Sequence, residues 1–119
     1  MQSYKELIVW QKSIELVTSL YGITEKFPKT ELFGLTSQMR RSAVSSSANI
    51  AEGYARKQRA EYVQFLRIAF GSGAELETHL VIAKNLNFVT DQNVAQVSGL
   101  LDEVMRMLNT MISKLVAKP

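Results

Sequence analysis

"RRSAVSSSANIAEG", residues Arg40–Gly53, decides how this chain folds. The stretch contains no proline, and small side chains occupy most of its length. Residues that recur three or four positions apart share one face of a helix. One such face carries Leu35, Met39, Ala43, Ser46, Ile50 and Gly53. The pattern predicts one long helix whose narrow core side lets neighbouring helices come close.

The rest of the chain divides into helices at a few breaks. A residue ahead of a proline avoids the helical region, so the first helix is predicted to end just before Pro28. Thr30 is a candidate N-cap for the second helix. The later helices are predicted from about Leu32 or Leu35 to Arg56, from Ala60 to about Asn87, and onward from a cap at Thr90 or Asp91.

No segment alternates apolar and polar residues with a period of two, so we predict no sheet. Four helices with short connections predict an all-α, antiparallel up-down four-helix bundle, formed by a single domain over residues 1–119. Cysteine is absent, which excludes disulfides and thiolate metal sites. The N-terminus does not resemble a secretory signal, and no apolar run approaches the ~20 residues of a membrane helix. We expect a cytoplasmic protein without a membrane partner.

Helices two and three carry more apolar surface than one bundle core uses. A helix that is apolar on a second side buries that side against a further neighbour. In a chain this short, we expect the neighbour to be another copy of the chain. The predicted contacts between copies are Val44, Ala48, Ala51, Val63, Phe70, Ala74 and Val81. The sequence therefore predicts a homo-oligomer.

Two glycines, Gly71 and Gly73, stand inside predicted helix three. A glycine inside a helix costs about 1 kcal/mol relative to alanine, so each needs a structural reason. Close approach of a neighbouring helix is the simplest reason. A phosphate-binding glycine loop is the alternative, but the lysine and the strand-to-helix context of such loops are missing.

Positive charge is concentrated in the middle of the chain. The net charge is +3, and residues 40–67 hold six basic side chains against two acidic ones. Such a patch attracts nucleic acid or an acidic partner, and a solvated face with internal ion pairs is the alternative. The candidate nucleic-acid-binding residues are Arg41, Arg56, Lys57 and Arg59. The last three meet at the predicted turn between helices two and three, which is exposed.

Ion pairs compete with phosphate for some of these cations. Glu52 precedes Arg56 by four positions, a spacing at which the two side chains can pair on one helix. For Arg40 and Arg41, the alternative to phosphate binding is a pair with Glu75 or Glu77 across the bundle, and for Arg40 we favour an ion pair.

No set of side chains suits catalysis or a metal ion. Asn49 and Glu52 have no nucleophile or base beside them. His79, the single histidine, follows Glu75 by four positions, but the paired Glu-x-x-His motifs of bundle dimetal sites are missing. Packing is likewise favoured over base stacking for Trp10. We predict no enzymatic activity, no catalytic residue, no metal site and no cofactor.

A series of ordered motifs between about Leu7 and Leu86 resembles one known family. The motifs are Phe27-Pro28, Phe33-Gly34-Leu35, Gln38 to Arg41, Asn49 to Gly53, Phe65-Leu66, Ile68-Ala69, and Gly71-Ser72 with Glu75. On these motifs the chain resembles the ribosomal-protein-like bundle proteins encoded in intervening sequences of bacterial 23S ribosomal RNA genes. The accessory variability protein of diversity-generating retroelements shares their fold. Ser46 and Ser47 depart from the pattern, since relatives often carry an apolar residue and a proline there.

The resemblance implies an up-down four-helix bundle that assembles as a pentameric barrel and has no enzymatic activity. The retroelement relatives also associate with nucleic acid and a reverse transcriptase. We therefore predict a non-enzymatic homo-oligomer that binds RNA or DNA, or a nucleic-acid enzyme, through a basic surface. The alternative is a homo-oligomeric protein-interaction module with no nucleic-acid role.

Overall fold

The chain folds into four long helices in the computed structural model, which describes residues 3–118. The helices are α1, Ile8–Thr24; α2, Leu35–Arg56; α3, Arg59–Asn85; and α4, Asp91–Val116. Short 3-10 helices, Tyr4–Glu6 and Lys29–Glu31, precede α1 and α2. Residues 3–118 contain no strand, so the all-α prediction is confirmed. Met1, Gln2 and Pro119 of the predicted domain lie outside the described residues.

Consecutive helices run antiparallel. Ser45 of α2 lies beside Ser72 of α3, and Gly53 lies beside Phe65, so residue numbers rise along α2 as they fall along α3. α4 packs against both α3 and α1 and closes the bundle. This order makes an up-down four-helix bundle, 48 × 20 × 20 Å in extent. All four helices supply fully buried core side chains, among them Leu16, Leu20, Met39, Ile50, Leu66, Leu76, Val97 and Leu108.

The small residues of Arg40–Gly53 bring α2 and α3 together over most of their length. Ser46 is buried, and the Oγ atoms of Ser45 and Ser72 are hydrogen-bonded at 2.9 Å. Gly53 is buried as well, and a Cβ placed on it would lie 2.7 Å from Phe65 Cβ. The predicted close approach is therefore confirmed for this helix pair.

The two glycines of α3 have different surroundings. A Cβ on Gly73 would collide with the sulfur of Met105 from α4, so this glycine makes room for a methionine side chain rather than for a neighbouring backbone. A Cβ on Gly71 would meet no neighbouring atom within 4 Å. Close helix approach within the chain is therefore the wrong explanation for Gly71, which is exposed.

The predicted helix ends are partly correct. Thr90 Oγ1 accepts a hydrogen bond from the Asn93 N–H and forms a capping box, as predicted for helix four. Thr30 does not cap helix two, because it lies inside the second 3-10 helix. Instead, the Leu35 N–H donates to Glu31 Oε1 at 3.2 Å. The Glu31 carboxylate, one turn upstream of Leu35, thus takes the capping role that was predicted for the Thr30 hydroxyl.

α1 ends at Thr24 rather than directly before Pro28. The turn that follows brings Phe27 against Phe88, with ring centroids 5.6 Å apart. Burial of Phe27 favours this early helix end, because the turn directs an aromatic ring into the core.

Candidate nucleic-acid interface

The turn between α2 and α3 consists of Lys57 and Gln58. Lys57 has left-handed backbone angles, φ 62° and ψ 18°. Glycine is the usual residue in this conformation after a helix, because it has no Cβ to clash. A lysine therefore places a charge at the tip of the turn at some cost in stability.

A pocket of about 390 Å³ opens beside this turn. We call it the basic pocket; its lining residues are Gly53, Tyr54, Lys57, Gln58, Arg59, Tyr62, Leu115 and Lys118. Three of them are cations, and none is acidic. The pocket therefore concentrates positive potential in a concavity, which strengthens attraction for an anion.

The N-terminus of α3 lies at the basic pocket. Gln58 is the N-cap residue, and its side chain makes no capping hydrogen bond. The Tyr62 N–H donates to the Gln58 carbonyl at 2.9 Å, while the N–H groups of Ala60 and Glu61 have no acceptor within the helix. Such an uncapped terminus favours a bound anion.

Two tyrosines complete the wall of the basic pocket. The rings of Tyr54 and Tyr62 make an edge-to-face contact, with centroids 6.0 Å apart. The Tyr62 hydroxyl is buried and has no hydrogen-bond partner among residues 3–118. Burial raises the pKa of this hydroxyl above its usual range, and repulsion between the ionised forms of Tyr54 and Tyr62 adds to the effect.

Arg56 is held by two carboxylates outside the basic pocket. Its guanidinium lies 2.8 Å from Glu52 Oε2 and 3.4 Å from Glu61 Oε2, and it also lies over the Phe65 ring. The hydrogen bond to Glu52 raises the pKa of Arg56 above its usual value. The predicted pairing of Glu52 with Arg56 is confirmed, and it reduces the charge that Arg56 offers to a ligand.

Arg41 lies far from the α2–α3 turn, at which the other three residues predicted to bind nucleic acid are found. It precedes Arg56 by fifteen residues, which is about 22 Å along a helix. It lines a groove at the other end of the bundle, next to Phe33, which is 93% exposed. The structure therefore does not bring Arg41 together with Lys57 and Arg59.

Arg40 links α2 to α1. Its Nε donates to Thr24 Oγ1 at 2.9 Å, and its guanidinium lies 4.3 Å from the centre of the Tyr21 ring. Glu25 is 3.9 Å away. The favoured ion pair exists, but the predicted partners Glu75 and Glu77 are wrong, since Arg40 faces α1 rather than α3.

The residues predicted to contact another copy of the chain differ in how exposed they are. Val44, Ala48, Ala74 and Val81 are exposed, with Val81 at 58%. Ala51 and Val63 are half-buried, and Phe70 packs partly against the chain's own core. The exposed members leave apolar surface on the outer sides of α2 and α3.

Metal-binding clusters and membrane-spanning helices are both absent from residues 3–118. These residues contain no group of three or more His, Cys, Asp or Glu side chains placed to hold a metal ion. His79 is buried, and its Nδ1 has no hydrogen-bond partner within this part of the chain. None of the helices in residues 3–118 combines the length and apolar character that crossing a bilayer requires.

We expect Lys57→Gly to stabilise the fold by about 1 kcal/mol, because glycine relieves the left-handed conformation. Chemical denaturation followed by circular dichroism measures the change. Asn87 also has positive φ, 63°, and provides the control. Asparagine tolerates this conformation, so Asn87→Gly should change stability less. A loss of stability in Lys57→Gly would mean that the lysine side chain helps to hold the turn.

Sequence reasoning missed Lys118 and both tyrosines of the basic pocket. Lys118 is distant in sequence from Lys57 and Arg59, and the bundle brings them together. One signal was available: an up-down order puts the end of the fourth helix beside the turn between the second and third.

Comparison with known proteins places this chain in a family. The family model of the 23S rRNA-intervening sequence protein matches residues 5–110. A crystal structure of a protein of unknown function from the S23 ribosomal protein family of Bacteroides thetaiotaomicron has a similar fold, with a TM-score of 0.79. Its sequence is 24% identical, and the match covers 88% of this chain and 98% of that one. No curated protein matches. The chain belongs to the 23S rRNA-intervening sequence protein family.

Proposed function

We propose that this protein is a non-enzymatic homo-oligomer that binds nucleic acid, RNA or DNA, through the basic pocket. The observation that carries the proposal is the convergence of Lys57, Arg59 and Lys118 on one concavity that no acidic residue lines. Phosphate contacts by lysine and arginine supply most of the affinity of sequence-independent nucleic-acid binding.

The surrounding structure supports these residues over the other candidates. Arg56 is neutralised by Glu52 and Glu61, so it serves mainly to hold the turn. Arg41 lies at the other end of α2, where it would contact only a ligand that extends along the bundle. A reverse transcriptase or another nucleic-acid enzyme remains a candidate protein partner, with the oligomer as its scaffold.

A second candidate function is a homo-oligomeric protein-interaction module with no nucleic-acid role. Exposed apolar side chains favour it, above all Phe33 beside Leu32 and Val44. Contiguous apolar surface often marks a protein-binding site. Under this function, cations of the basic pocket would be dispensable.

Charge reversal of the basic pocket tests the proposal. We expect Lys57→Glu, Arg59→Glu and Lys118→Glu, combined, to weaken binding of labelled RNA and duplex DNA by more than about 100-fold. The slope of log affinity against log salt concentration should fall by about one for each phosphate that the variant no longer neutralises. Fluorescence anisotropy between about 50 and 200 mM salt measures both quantities.

The matched control reverses Lys26, Lys29 and Arg106, three exposed cations outside the basic pocket. It changes the net charge equally and should retain most of the binding. Equal losses in the two triple variants would indicate attraction by net charge alone. If the wild-type protein bound neither RNA nor DNA at any salt concentration, the nucleic-acid role would be contradicted, and the protein-interaction module would be the remaining function.

A further inference from the structure

We propose that the basic pocket receives a terminal phosphate of a nucleic-acid strand, an inference that rests on the proposed function. The first argument is shape. Four parts of the fold form the pocket: the last turn of α2, the α2–α3 turn, the first turn of α3, and the C-terminal end of α4 with Lys118 just after it. Its volume of about 390 Å³ lies at the small end of the range for ligand pockets. A concavity of this size suits the end of one strand better than the outer surface of a duplex.

Charge provides the second argument. A phosphate monoester carries about −1.5 to −2 charges at pH 7 and three acceptor oxygens. An internal phosphodiester carries only one charge. Lys57 and Lys118 line the basic pocket without an acidic neighbour in its wall, and Arg59 adds a third cation. The site thus offers more positive charge than a single phosphodiester would neutralise.

Unused hydrogen-bond donors provide the third argument. The N–H groups of Ala60 and Glu61 lie in the first turn of α3 without a helical acceptor, and Gln58 does not cap them. Backbone N–H groups at a helix N-terminus bind phosphate oxygens well.

The terminal base has an aromatic neighbour in the same pocket. Tyr54 lies in the wall beside Lys57, and its ring contacts Tyr62 by an edge. Bases of any sequence stack on tyrosine rings. Phosphate on the cations and base against Tyr54 would together hold a strand end without reading its sequence.

The test compares otherwise identical RNA strands of about 12 nucleotides with a 5′-phosphate, a 3′-phosphate or no terminal phosphate. The label sits at the opposite end from the group being varied. We expect a terminal phosphate to tighten binding by about tenfold, as one or two charge-assisted hydrogen bonds would. Lys57→Gly and Lys118→Gln should abolish the preference. Lys57→Gly keeps the turn, because glycine adopts the left-handed conformation.

Each of the other outcomes of this binding test would contradict a different statement. Equal affinity for phosphorylated and unphosphorylated strands, with steep salt dependence retained, would overturn this inference and leave the proposed function. Absence of any RNA or DNA binding would overturn both. A preference that persists in Lys57→Gly and Lys118→Gln would place the terminal phosphate elsewhere. Competition by inorganic phosphate or adenosine monophosphate as strong as by the phosphorylated strand would make a free anion, not a strand end, the ligand.

Discussion

Gly53→Ala is expected to lower the free energy of unfolding by about 1–3 kcal/mol, as overpacking of a close contact does. The added Cβ would lie 2.7 Å from Phe65 Cβ and 3.4 Å from the Tyr62 carbonyl oxygen. Neither atom moves freely, because one begins a side chain and the other belongs to the backbone. The gain of about 1 kcal/mol in helix propensity does not offset such a clash. Urea denaturation followed by circular dichroism measures the effect.

Gly71→Ala is the matched control, since it makes the same chemical change in a helix with open space around it. It should raise the free energy of unfolding by about 1 kcal/mol. If the two variants had equal stability, the close approach of α2 and α3 at Gly53 would be contradicted. If Gly71→Ala folded well but did not self-associate, Gly71 would owe its presence to contact with another copy.

Val81→Asp is expected to convert the proposed homo-oligomer into a folded monomer. Val81 is 58% exposed and belongs to the predicted contact surface. An aspartate buried in an apolar contact must lose its hydration without gaining a partner, which costs several kcal/mol in each copy. Size-exclusion chromatography with light scattering measures the mass, and circular dichroism checks that the helices persist.

Asn109→Asp adds the same charge at an exposed position of α4 and should leave the assembly intact. A wild-type protein that is monomeric at micromolar concentration would contradict self-association altogether. A Val81→Asp protein that stays oligomeric would move the contact surface away from Val81, and the exposed Phe33 would be the next position to test.

The long helices were predictable because local patterns determine them. The apolar spacing and the cap at Thr90 act over only a few residues, so single-sequence reasoning recovers them. The rule for residues ahead of a proline misplaced the end of α1, which is Thr24. The core side of α2, including Met39, Ile50 and Gly53, also followed from periodicity. The family was recognised from motifs that span most of the chain, and the family model confirms it.

Contacts between helices were less predictable. Arg40 was assigned the wrong partners because periodicity gives the side of a helix but not the neighbour that faces it. The contact of Gly73 with Met105 depends on how far α4 is displaced along α3. The spacing of residues within one helix does not predict that displacement.

By itself, the sequence determined four helices, their order along the chain, and the small residues that let α2 and α3 come close. Local steric and hydrogen-bonding preferences act within one or two helical turns, which is why these features were readable. Only the tertiary structure decided that Lys118 joins Lys57 and Arg59, that Glu61 pairs with Arg56 in addition to the predicted Glu52, and that Arg41 lies at the far end. Electrostatic sites depend on distances through space, and packing of the whole bundle sets those distances.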